Sequence, residues 1–288
     1  MGPRRITVPV IIVGRSATSA ILERCKSKGV TISSSIFALC NVAWAKTCNQ
    51  KPEMPMYGCL RVHEKHIYLS QIYRMMYSAF SLRPHMEAET ARNDFMHIAI
   101  GYFNIVLPSF LPRSAKLDAI FWHRARAAQK QTIEAARNPM MVPRIREMAR
   151  LRASQARAWA KEDDEKAAGT WVPPPPPPKK PVEQLPSSAL IGLSFLGNLD
   201  SIYDHASFGD LRIHTAIGGP RQRPGGMLLL SYTFAGKLLI SVGYDENALD
   251  RVVVQSFWKN MLASMKELLV EGGVAGERRT EDALRARL

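Results

Sequence analysis

Six consecutive prolines, Pro173 to Pro178, constrain this chain more than any other stretch. Proline holds φ near about −65° and carries no amide hydrogen, so neither a helix nor an interior strand runs through such a segment. "GTWVPPPPPPKKPVEQLP" is therefore read as an extended polyproline II rod, and 168–186 as an exposed linker or long loop. Lys179 and Lys180 follow the prolines, which gives 173–180 the chemistry of a docking segment for an SH3- or WW-type partner. A passive spacer accounts for the same residues.

The two sides of the rod differ in pattern. Ahead of it, residues 6 to 13 alternate towards a strand. "SATSAILERCKSKG" reads as a helix with Ser16 as N-cap and Gly29 just past its end. "TISSSIFALCNVAWAKT" follows as a more apolar helix, with Ile36, Leu39, Cys40 and Ala43 on one face. "FMHIAIGYFNIVLP" reads as a buried strand bent at Gly101 and stopped by Pro108, and 58–90 has no clear period. Two helical stretches, 114–137 and 143–167, are separated by Pro139 and Pro143. Behind the rod come strands: "ALIGLSFLGNL", "LRIHTAI", and "GMLLLSYTF" with "KLLISVGY" joined at Ala235-Gly236 in a tight hairpin. A last helix opens at Asp250 and stops at Gly272, leaving 272–288 as a charged, fraying tail. Strands and helices mix without βαβ alternation, so the class is α+β.

Several classes of function find no support. No apolar run reaches the roughly 20 residues needed to span a membrane. "VPVIIVG" after Arg4 and Arg5 mimics a signal peptide, but the apolar stretch is short and interrupted by Pro9, and a buried strand explains it. Cys25, Cys40, Cys48 and Cys59 make no Cys-x-x-Cys pair, so zinc and thioredoxin-type chemistry are not indicated. They read as reduced thiols of a cytoplasmic protein. The net charge of +14 is concentrated: between Arg113 and Lys161 twelve Lys or Arg face only Asp118, Glu134 and Glu147. That stretch lacks interleaved aromatics and any RNA-binding or zinc-finger spacing, so solvated helices explain it better than nucleic acid. No Walker A or Gly-x-Gly-x-x-Gly stretch occurs.

Three segments together resemble the CoA-dependent acyltransferase superfamily, which includes chloramphenicol acetyltransferase, peptide-synthetase condensation domains and fungal trichothecene acetyltransferases. "ILERCKSKGVTISSSIFALCNVAWAK" resembles the helix pair that opens the second half of that fold. "IGYFNIVLPSFLP" is similar to the strand along the floor of its tunnel, and "MLLLSYTF…" through "…KELL" to its closing hairpin and helix. The resemblance implies a chloramphenicol acetyltransferase-like layered sandwich with a mixed sheet, here one lobe of a normally two-lobed fold built from 1–167 and 187–271. It also implies acyl transfer from a thioester to an alcohol or amine acceptor, with acyl-CoA as cosubstrate. The superfamily's base lies in a His-His-x-x-x-Asp-Gly motif of the first lobe. None of the seven histidines stands in that motif, so no catalytic residue is assigned and the chain reads as a carboxy-terminal portion, inactive alone.

Half of a binding site remains on this reading. Asn104 is placed on the tunnel floor, and Arg221, Arg223 and Lys237 are candidate partners for CoA phosphates. "DHASFGD" tempts as a catalytic histidine, His205, with Asp210 as its orienting acid. In the resemblance it falls on a structural turn instead. There Phe208 plugs the core, Gly209 takes a positive φ, and Asp204 or Asp210 pairs with an arginine or caps backbone amides.

Overall fold

The computed structural model describes residues 5–50, 73–86, 99–112, 114–173, 191–219, 226–247 and 249–271. Seven strands form one sheet: β1 (Ile6–Thr7), β2 (Val10–Val13), β3 (Tyr73–Ser81), β4 (Ile100–Pro108), β5 (Gly192–Asn198), β6 (Met227–Phe234) and β7 (Lys237–Asp245). Their order is β1-β7-β6-β5-β3-β4, with β2 also on β7. β5 runs parallel to both β3 and β6, while the other pairs are antiparallel, which makes the sheet mixed. The β6–β7 hairpin turns on Ala235 (φ 50°) and Gly236 (φ 69°). Two positive φ values are what a tight two-residue hairpin of right-twisted strands requires.

Among the described residues five helices accompany the sheet: α1 (Arg15–Ser27), α2 (Ile32–Gln50), α3 (Leu117–Arg137), α4 (Met141–Ala168) and α5 (Arg251–Met265), the last extended by a π-helical turn, Lys266–Glu271. The chain divides into two compact units, Met1–Thr132 with Ser188–Leu288, and Ile133–Ser187.

α2 is the centre of the larger unit. Ile36, Phe37, Ala38, Leu39, Cys40, Val42 and Ala43 are all at most 1% exposed, so the helix is buried around its circumference rather than along one face. Trp44 stacks on Phe257 of α5 at 4.7 Å between ring centres, and Asn260 donates to Thr47 Oγ1 at 3.0 Å. α5 starts as its sequence suggests, with the Asp250 carboxylate accepting from the Val252 and Val253 amides. α1 does not start at Ser16. Its N-cap is Gly14, with no side-chain cap, and Thr18 instead bonds Val13 O and the Leu238 amide, joining α1 to β7.

β4 differs from expectation. Among the described strands it lies at the edge of the sheet, and Ile100, Asn104 and Val106 are exposed while Phe103, Ile105 and Leu107 are buried. Its free edge is partly occupied by a side chain. Gln131 of α3 donates from Nε2 to Val106 O and accepts from Val106 N, both at 2.9 Å, as a neighbouring strand would. "LRIHTAI" is not a strand either. It lies along β6 and β7 without entering the ladder, tied by Tyr232 Oη to Ala216 O and by Ser241 Oγ to Gly218 O.

A buried charge that sequence reading missed secures the end of β4. Arg124 of α3 is 3% exposed and donates to Asn41 Oδ1 and to Phe110 O, while Asn41 donates to Pro108 O at 3.0 Å. With carbonyl oxygens but no carboxylate bonded to it, burial lowers its pKa to about 10.

Candidate functional site

Two concavities meet beside the β6–β7 hairpin. The first is a groove of about 310 Å³ between the start of α1 and α2 and the ends of β5 and β6. Its walls carry Thr18, Ser19, Ser33, Asn198 and Thr233 hydroxyl and amide groups among Leu22, Ile32, Phe195 and Leu238. The second is a basin of about 580 Å³ lined by Arg15, His205, Arg212, Ile213 and His214. Asp200 and Gly236 line both, so the two adjoin at that point.

Asp200 is held there by three donors. The Ala235 amide reaches it at 2.6 Å, the Gly236 amide at 2.8 Å, and His205 Nε2 lies 2.8 Å from its Oδ1. Burial raises its pKa, but the hydrogen bonds from His205 and the two amides outweigh that and leave it lowered. The histidine partner is therefore Asp200, five residues before His205, and not Asp210. His205 packs edge-on against Tyr203, its ring centre 5.0 Å from Phe234. The carboxylate thus orients the imidazole at the rim of the basin. The same carboxylate also fastens the hairpin turn.

The rest of the "DHASFGD" stretch makes a local turn. Asp204 caps a 3₁₀ turn, His205–Phe208, accepting from the Ala206 amide at 3.0 Å and Ser207 Oγ at 2.7 Å, and these bonds lower its pKa. Gly209 follows at φ 56°, and Asp210 is exposed. The side chain of Phe208 lies outside the described residues.

The other candidates separate. Lys237 Nζ approaches His214 O at 3.4 Å, which sets it beside the basin. Arg221 and Arg223 lie outside the described residues, as does most of 173–180. Asn104 is exposed on β4, paired with Tyr77, and lines neither concavity. β4 and β7 are four strands apart in the sheet, about 19 Å, so Asn104 and Lys237 do not form one site. Arg15, Arg212 and Asp200 were not expected. Their signal is faint in sequence, because Asp200 reaches the hairpin turn only when β5 pairs with β6, and Arg15 only by donating from Nε to Ala235 O at 2.9 Å. Among the described residues no group of His, Cys, Asp and Glu is arranged to hold a metal ion, and no helix is long and apolar enough to cross a membrane. The thiols of Cys25, Cys40 and Cys48 each have a pKa raised by burial, and Cys48 Sγ accepts a hydrogen bond from Arg74 at 3.3 Å.

No protein-family model and no curated protein matches the sequence. Solved structures do. A trichothecene 15-O-acetyltransferase from Fusarium sporotrichioides superposes with a TM-score of 0.62 at 11% identity, over 91% of this chain and 46% of the other. The epimerization domain from the third module of tyrocidine synthetase B gives 0.51 at 10% identity, over 94% and 49%. The fold is that of the CoA-dependent acyltransferases and condensation domains. The condensation domain of the monacolin K polyketide synthase has it too, with a TM-score of 0.50 at 13% identity, over 94% and 47%. This chain spans just under half the length of each of these chains.

Proposed function

We propose that this chain is the donor-binding lobe of a CoA-dependent acyltransferase-like protein. On this reading the basin receives the phosphates of an acyl-CoA and the groove its pantetheine arm. The observation that carries it is the junction at Asp200 and Gly236. There a basin edged by Arg15, Arg212 and two histidines opens into a smaller groove of apolar and hydroxyl groups. Guanidinium groups suit phosphate oxygens, and a pantetheine arm alternates methylene and amide groups as the groove wall alternates apolar and hydroxyl groups. Among the described residues Asp200 is the only carboxylate lining the basin, and it already accepts three hydrogen bonds, so its repulsion of an anion is reduced. Transfer of the acyl group to an alcohol or amine then requires a general base from a second lobe, in trans or in a longer chain.

Titration calorimetry with CoA, 3′-dephospho-CoA and pantetheine tests the reading. CoA should bind, pantetheine alone should bind at least tenfold more weakly, and Arg15→Glu with Arg212→Glu should abolish the difference. Equal affinity for CoA and pantetheine would overturn the phosphate assignment. Thiol release from acyl-CoA should stay at the uncatalysed rate with the chain alone. Turnover lost in His205→Ala would make His205 the base and remove the need for a second lobe.

A further inference from the structure

Helix α4 has no interior to belong to: of its 28 residues, Met141 to Ala168, only Met141 is buried. Its charge is also arranged against its own dipole. Residues 141–161 hold six Lys or Arg and one acid, whereas 162–165 are four consecutive acids. A helix is stabilised by acids in its first turn and cations in its last, and here the first turn has no acid. Three intrahelical pairs, Glu147–Arg150, Lys161–Glu165 and Glu162–Lys166, offset part of this. Such exposed pairs contribute little. Arg144, Arg146 and Arg157 have no acidic partner among the described residues.

An antiparallel copy of the same helix relieves both faults. It sets acidic end against basic end at each side and opposes the two dipoles. We infer that α4 is a self-association element that pairs antiparallel with α4 of a second copy of this chain. The register follows from the sequence. Ile145, Met148, Arg152 and Trp159 recur at spacings of three, four and seven, and so share a face. Ala149, Ala156 and Ala160 fill the same face between them. Antiparallel overlap about the helix centre sets Trp159 over Ala149, Met148 over Ala160 and Arg152 over Ala156, large against small along the seam. The flanking charges then meet as Arg144 with Glu162 and Arg146 with Asp164, twice each by the two-fold symmetry. A parallel pair would set like charges together at both ends. On this face Met148 is 36% exposed in the single chain, and Ala149, Ala156 and Ala160 are exposed beside it.

Sedimentation velocity on the full chain tests this. Dimer is expected at micromolar concentration in low salt, weakening at least tenfold as ionic strength rises towards 1 M, where the Debye length is about 3 Å. Arg144→Glu with Arg146→Glu should be monomeric, and so should Glu162→Lys with Asp164→Lys. Mixing the two variants should restore a dimer containing one of each, which no folding defect would produce. A wild-type monomer up to about 100 µM, or variants that fail to rescue one another, would overturn the pairing. Sedimentation of the monomer with phosphatidylserine vesicles would overturn it in favour of a membrane surface as the occupant.

Discussion

Asp200 is the residue on which most of the candidate site depends, because one carboxylate orients His205 and satisfies both amides of the hairpin turn. Hydrogen bonds to a charged acceptor are worth about 1.5–3 kcal/mol each in favourable cases, less where water competes. Asp200→Ala is expected to lose about 1–3 kcal/mol of stability at pH 7 by urea denaturation. Its folded pKa lies below the unfolded value of about 3.9, so the stabilisation is complete above that value and is lost as pH falls through the folded one. The gap between wild type and variant should therefore close below about pH 4. A gap that persists at about pH 2 would mean that packing and not charge is responsible. Gly192 makes a second residue-scale case. A Cβ there would overlap the Tyr77 ring and come within 2.7 Å of Leu228 Cδ1. Gly192→Ala should cost about 1–3 kcal/mol in the same assay, and Tyr77→Ala should recover part of it in the double variant.

Among the elements, β4 shows how an edge strand is kept from pairing with another molecule. It offers nine residues and exposed apolar side chains, the features of a sticky edge, and Gln131 occupies one residue's worth of its hydrogen-bonding groups. Gln131→Ala should raise aggregation on mild heating, followed by light scattering, with a stability loss of about 1 kcal/mol. Unchanged scattering would show that the edge is guarded elsewhere. Elements whose determinants are local were legible in the sequence: the Asp250 cap, the Ala235-Gly236 turn, and Pro139 at the break between α3 and α4, although Pro143 falls inside the first turn of α4 instead of before it. Elements decided by distant partners were not. "LRIHTAI" has strand composition, but its side is taken by contacts to Tyr232 and Ser241, and β4 reads as buried because its alternation is blurred by Gly101 and Tyr102. The site was legible only in part for the same reason. His205 stood out by type, yet its acid is Asp200, which lies in a separate 3₁₀ turn, and Arg124 appears in sequence as one more arginine of a basic stretch.

At the scale of the molecule the two compact units divide the labour, the larger one carrying the sheet, the groove and the basin, the smaller one the exposed basic helix. This division predicts that the smaller unit is dispensable for the fold of the larger. Replacing 139–187 by a Gly/Ser linker of about 30 residues, with an r.m.s. reach of about 30 Å, should leave α3 its last turn and the lobe its whole core. Longer connections cost little, since each doubling of loop length adds only about 0.6 kcal/mol of closure entropy. The shortened chain should melt within about 2 °C of the parent by circular dichroism, because α4 contributes one buried residue, Met141. It should also keep CoA binding in the calorimeter and lose the salt-sensitive dimer in the centrifuge. A melting point lower by about 5 °C or more would mean that the smaller unit braces the lobe. Dimerisation that survives the replacement would place the self-association surface on the lobe itself, where the exposed residues Ile100, Asn104 and Val106 of β4 are the next face to probe.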